Sequence, residues 1–280
     1  MKTNKFLLLA AFSLLLSCSE DEKGKTSINP EDVNALIAAL KVQGTNKNGD
    51  APQPTFTQAA PTITNSQSSA SITSNNNLYV PFTVSSTDGF SGIYLQVENE
   101  LNELADSYWQ IPLSGNAGDG QIVLPVGIPA NVEPGIFVIY YSLYTSGGDV
   151  SEIASLEVEI VESQNSCEDG SVMESGSDGL TIRSYSFDRN GTISLTYDMY
   201  DAPDRMDIFV NQNWVAGTGS SLSSGTTPPA SECYDGANGF VSGVNTIDFE
   251  YTKGKRVDIY MSGCFGGTAW DYWFDCPGEE

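Results

Sequence analysis

Histidine is absent from all 280 residues. Imidazole is the usual general base near neutral pH and the commonest metal ligand, so Ser-His-Asp, Cys-His and most catalytic zinc arrangements are excluded. Basic side chains are scarce as well: 12 Lys and Arg stand against 36 Asp and Glu, a net charge of −24. A surface of that sign repels phosphate backbones and favours divalent cations, so nucleic acid is not an expected partner. Neither Gly-x-Ser-x-Gly nor a phosphate-cradling glycine run occurs. No enzyme is expected, and the least favoured reading is a glycosidase running on two carboxylates in a cleft, which small sandwiches seldom provide.

Cysteine is limited to five positions, and no pair has the C-x-x-C spacing of a metal site. Cys167, Cys233, Cys264 and Cys276 all fall late in the chain and read as two disulfides of an exported protein. Three connectivities are possible. The favoured one joins Cys167 to Cys276, stapling the ends of one domain, with Cys233 to Cys264 inside it.

What is present begins with a leader. Lys2 and Lys5 precede a nearly continuous apolar run from Phe6 to Leu16, too short to span a bilayer, so residues 1–17 read as a signal peptide. Leu15-Leu16-Ser17-Cys18 resembles the lipobox of bacterial lipoproteins, which implies acylation of Cys18 and a mature chain starting there. Ser19-Glu20-Asp21-Glu22 resembles the acidic export tag of some surface lipoproteins; a solvated spacer facing the periplasm is the alternative. The resemblance implies a lipid anchor in the outer membrane, facing the cell exterior. Loss of Lys2 and Lys5 with the leader takes the basic count from 12 to ten, so −24 becomes −26.

Residues 18–54 read as a tether, polar and marked by Asn46-Lys47-Asn48-Gly49-Asp50 and Pro52-Gln53-Pro54. One short helix interrupts it, with Asn29 as cap, Pro30 at the first position, and Val33, Leu36, Ile37 and Leu40 on one face packing on the next domain.

Over residues 55–163, seven short apolar runs are separated by Gly, Asn, Ser and Pro: Thr62–Thr64, Tyr79–Val84, Ile93–Val97, Tyr108–Leu113, Gln121–Val126, Ile136–Leu143 and Leu156–Ile160. This succession resembles the bacterial immunoglobulin-like spacer class, which implies a sandwich that holds a neighbour away from the membrane. Tyr94, Tyr108 and Trp109 read as packing residues.

Residues 164–280 form a second, disulfide-bonded antiparallel sandwich of jelly-roll type. Ile193, Leu195, Tyr197 and Met199 alternate with polar residues, as do Met206, Ile208 and Val210, then Val257, Ile259 and Met261. The fold class is therefore all-β, two tandem sandwiches behind a lipidated tether. Between two of these strands, Asp198, Asp201, Asp204 and Asp207 crowd one hairpin end. Calcium would neutralise them through oxygen ligands, and Arg205 bracing or plain solvation is the alternative. The segments Pro203-Asp204-Arg205 and Gly267-Thr268-x-Trp270-x-Tyr272-x-x-x-Cys276-Pro277 together resemble a β-sandwich module appended to secreted bacterial proteins. That resemblance implies a binding role without a settled ligand.

In the last strand, Trp270, Tyr272 and Phe274 share a core face while Asp271, Trp273 and Asp275 share the other. Trp273, with Trp214 and Tyr234, is a candidate platform for a sugar ring, against the alternative that these rings cap the sandwich. The expected function is non-catalytic binding of a glycan or protein, calcium-assisted, at the cell surface. An adhesive or structural coat protein with no discrete pocket is the alternative.

Overall fold

The computed structural model describes residues 26–277 apart from 59, 67, 88, 114–119, 163–170, 221–238 and 264–266. The first part holds helix α1 (Val33–Ala39) and strands β1 (Thr45–Asn48), β2 (Thr62–Ser66), β3 (Ser69–Thr73), β4 (Asn77–Ser85), β5 (Gly92–Asn99), β6 (Ser107–Pro112), β7 (Gly120–Gly127), β8 (Gly135–Tyr144) and β9 (Ala154–Val161). The second holds β10 (Ser171–Ser177), β11 (Gly179–Ser186), β12 (Gly191–Asp198), β13 (Arg205–Val210), β14 (Asn213–Gly217), β15 (Val244–Tyr251), β16 (Arg256–Gly263) and β17 (Ala269–Asp275). The all-β sandwich class expected from the alternation is what forms, and each of the seven apolar runs falls on a strand, Tyr108–Leu113 running one residue past β6.

In the first part, β2-β4-β7 faces a sheet ordered β6-β5-β8-β9-β3, with buried side chains of both inner faces forming one core. This is the two-sheet arrangement of immunoglobulin-like domains. In the second, β10-β17-β12-β15 faces β11-β16-β13-β14, the eight-stranded jelly-roll order. Strict alternation explains the inner faces: Ile193, Leu195 and Tyr197 on β12, and Val257, Ile259 and Met261 on β16, are all buried in the second core. Burying each such side chain contributes about 1.5–3 kcal/mol.

The two sandwiches share a sheet. β3 pairs in parallel with β9 on one side and with β11 on the other, so ten strands run continuously from β1 to β14. Its sequence, Ser-Ala-Ser-Ile-Thr, has apolar residues only at Ala70 and Ile72, which is why it escaped the strand pattern. The outward face of β11, β13 and β16 is therefore covered: Leu180, Ile182, Phe209 and Tyr260 belong to the core of the first sandwich.

The segment expected as tether is docked from residue 26 onward. β1 pairs antiparallel with β6, and Lys41 bridges Gly127. Val33, Leu36 and Ile37 of α1 are buried, and Trp109 donates its indole N–H to the Ile37 carbonyl at 3.1 Å. The cap is Asp32 rather than Asn29: Asp32 Oδ1 accepts from the Ala35 amide at 3.1 Å, while Asn29 closes a preceding turn on the amides of Glu31 and Asp32. Pro30 sits in that turn, and the helix begins after it.

Candidate functional site

Strand β17 presents Trp270, Tyr272 and Phe274 to the core and leaves Trp273 on the outer face with 39% of its surface exposed. Pairing places Met173 of β10 on one side of Trp273 and Thr196 of β12 on the other. Met173 is 71% exposed, so the indole and thioether form one apolar patch. The next row holds Ser175, Asp271, Asp198 and Val244, and Asp275 follows Trp273 along its own strand. Toward β15, hydroxyls meet acids or each other: Thr192 with Glu250 at 2.8 Å, Ser194 with Asp248 at 2.7 Å, and Thr196 with Thr246 at 3.0 Å.

Tyr200 overhangs this face. It stands at φ +46°, a left-handed conformation uncommon for a bulky residue. Two bonds hold it there: its amide donates to Asp198 Oδ1 at 2.9 Å, and its hydroxyl donates to the Asp271 carboxylate. That second bond raises the Tyr200 pKa above its ordinary value, since ionisation would set two anions against each other. With Tyr200 47% exposed, the result is two aromatic side chains and a methionine on one sheet face, beside carboxylates and hydroxyls. Such a surface stacks an apolar ring face and hydrogen-bonds its edge.

Trp214 is not part of that surface. It lies on β14, in the opposite sheet, half-buried against the first core, and its indole N–H donates to Asp207 Oδ1 at 2.9 Å. Tyr234 lies outside the described residues, as do Cys18, Cys167, Cys233 and Cys264. Cys276 is buried and disulfide-bonded.

The four aspartates of the expected calcium hairpin have separate duties. Asp198 accepts from the Tyr200 amide, and Asp201 is exposed. Asp204 is 0% exposed and accepts from Thr268 Oγ1 at 2.7 and 2.6 Å. Asp207 is buried too, gripped by Arg205. Asp204, expected from the sequence to project from the Ala202-Pro203 turn, is buried instead; Asp207 does lie on the face of β13 away from the second core, but that face is buried too. The backbone of Asp204 pairs with Val241, and Trp214 packs and bonds on the face of β13 that bears Asp207, away from the second core. Among the described residues no group of three or more acidic or cysteine side chains is placed to hold a metal ion. The Asp204–Thr268 bond also joins the two halves of the Pro-Asp-Arg and Gly-Thr-x-Trp pattern, which gives those residues a structural task.

Sequence reasoning named Trp273 and missed Tyr200 and Met173; the alternation of β10 and the Tyr-Asp-Ala-Pro turn were the available signals.

No family model matches the sequence, and comparison with curated proteins finds no match. Among solved structures, the chain is similar to an α-L-rhamnosidase from Streptomyces avermitilis complexed with L-rhamnose, at 12% identity and TM-score 0.28, over 78% of this chain and 24% of that one. It is similar to an α-2-macroglobulin from Escherichia coli at 9% identity and TM-score 0.25, over 76% and 20%. A family 123 glycoside hydrolase from Clostridium perfringens aligns at 12% identity and TM-score 0.22, over 34% and 22%. The chain thus spans about a quarter or less of these proteins' lengths, and likenesses this distant carry no argument about function.

Proposed function

We propose that the chain is a non-catalytic surface lipoprotein, anchored through Cys18, whose C-terminal sandwich binds a glycan on the outer face around Trp273. One observation carries the reading: Trp273, Met173 and Tyr200 stand exposed together on a sheet face that nothing in the chain covers among the described residues, with hydroxyls and carboxylates beside them. An aromatic face takes the C–H side of a sugar ring, and the acids accept from its hydroxyls. The calcium expectation is not carried into this proposal, because Asp204 and Asp207 are committed elsewhere.

The test is affinity electrophoresis of the mature chain in gels containing neutral polysaccharides, beside Trp273→Ala and Tyr200→Phe. Retardation of the wild type that Trp273→Ala removes supports the reading. Retardation indifferent to Trp273, or absent with every polysaccharide and matrix protein tried, overturns it in favour of a structural coat. Mass spectrometry of Cys18 tests the anchor.

A further inference from the structure

A cleft of about 370 Å³ opens where the two sandwiches meet, on the side of the molecule served by the other sheet of the jelly roll. Its walls come from both. The turn before β4 supplies Asn75 and Asn76, β4 supplies Asn77 and Tyr79, β13 supplies Phe209, the β13–β14 turn supplies Asn211 and Gln212, and β16 supplies Arg256, Asp258 and Tyr260.

The floor is built and rigid. Arg256 donates to Asp258 Oδ1 at 2.6 Å, to Ser184 Oγ at 2.8 Å and to the Asn75 carbonyl at 2.7 Å, clamping the first sandwich's turn to the second sandwich's strand. Ser184 donates to Asp258 at 2.6 Å, and Asn76 donates to Ser184 and Thr73, both at 2.8 Å. The charges of Arg256 and Asp258 thereby neutralise each other inside the network. Beside it stands an aromatic wall, Tyr79 and Phe209 flanking Tyr260 at centroid distances of 6.3 and 5.0 Å. Burial raises the pKa of both tyrosines, so their hydroxyls stay protonated and able to donate.

The rim is made of amides, with Asn75, Asn77, Asn211 and Gln212 all exposed. No hydrogen bond among the described residues engages the side-chain amides of Asn75, Asn211 and Gln212. Each amide both donates and accepts, as a sugar hydroxyl does. Three of these residues are also held at positive φ: Asn75 at +62°, Asn211 at +52° and Gln212 at +67°. A two-residue hairpin turn with both φ values positive favours glycine at its second position, yet Gln212 stands there. The chain keeps an amide where the backbone would be more comfortable without a side chain.

We infer that this seam cleft is a second binding site, for a neutral saccharide of one or two rings. Its volume falls in the range of small-molecule sites, which gather at the junctions of domains. The aromatic wall takes the ring's apolar face and the amide rim its hydroxyls. A charged sugar finds no counter-charge, because the one cation present is spent on Asp258 and the chain as a whole carries −24.

The experiment is calorimetric titration of the mature full chain with glucose, galactose, mannose, maltose and cellobiose, with glucuronate as the charged control. Asn75→Gly combined with Gln212→Gly removes two rim amides and relaxes two strained residues, so it folds at least as well as the parent. The expected result is binding of at least one neutral sugar, weakened about tenfold or more in the double variant, with an unchanged or higher melting temperature. Trp273→Ala leaves this binding intact, which separates the cleft from the outer face. No binding of any neutral sugar, binding indifferent to the double variant, or glucuronate binding as tightly as glucose overturns the proposal.

Discussion

Arg205 and Asp207 form a two-point ion pair, Nε to Oδ2 at 2.7 Å and Nη2 to Oδ1 at 2.8 Å, with both side chains shut away from solvent. Removing one partner leaves the other charge buried and unmatched. Arg205→Ala is expected to destabilise the chain by about 3–5 kcal/mol in urea unfolding, and replacing both residues with apolar ones of similar size by much less. Equal losses in the single and the paired variant contradict this account.

The second sandwich is expected to lose stability in alkali. Tyr185 and Tyr272 share a hydroxyl–hydroxyl bond of 2.6 Å, and burial pushes both, with Tyr260, well above the ordinary tyrosine value of 10.0. The folded chain therefore keeps protons that the unfolded chain releases. Their contribution to stability is complete below pH 10.0 and declines as pH rises above it. Urea midpoints measured at about pH 8 and about pH 11 should fall between the two, with tyrosinate absorbance rising in step with unfolding. A midpoint that holds across this interval contradicts the burial of these hydroxyls.

Gly179 begins β11 at φ +103°, and a methyl group there would stand 2.5 Å from the Ser69 carbonyl oxygen of β3. Gly179→Ala strikes the joint between sandwiches without touching either core. It is expected to lower stability by more than about 1 kcal/mol and to split one calorimetric transition into two. A single transition at the parent temperature would mean that β3 does not couple the halves.

Treatment of the mature chain with a calcium chelator is expected to leave its melting temperature unchanged, because Thr268 and Arg205 already satisfy Asp204 and Asp207. A fall of several degrees would return the hairpin to consideration as an ion site.

The alternation of apolar and polar residues carried the strands whose inner faces are wholly buried, from Leu95 and Ile139 to Ile259 and Phe274. It carried Trp273 as well, since a tryptophan between two aspartates on the off-beat of a strand has to face outward. Ser69–Thr73 was illegible because its pairings are parallel and distant: Ala70 meets Val158 and Leu180, neither nearby in sequence. For the same reason the alternation with Met206 and Ile208 sets Asp207 on the non-core face of β13 without revealing that this face is buried, with Trp214 bonded to it. The seam cleft follows from that unseen contact, so residues as unremarkable as Asn75 and Gln212 gave no sign of sharing a wall.

The hydrogen-bonded ribbon through β3 has a mechanical meaning. A pull on the second sandwich reaches the first through the parallel backbone pairings of β3 with β11 and β9. A string of separate beads would yield at its weakest connector. This chain resists as one girder, so the spacing and angle between its two sandwiches are fixed by the sheet they share.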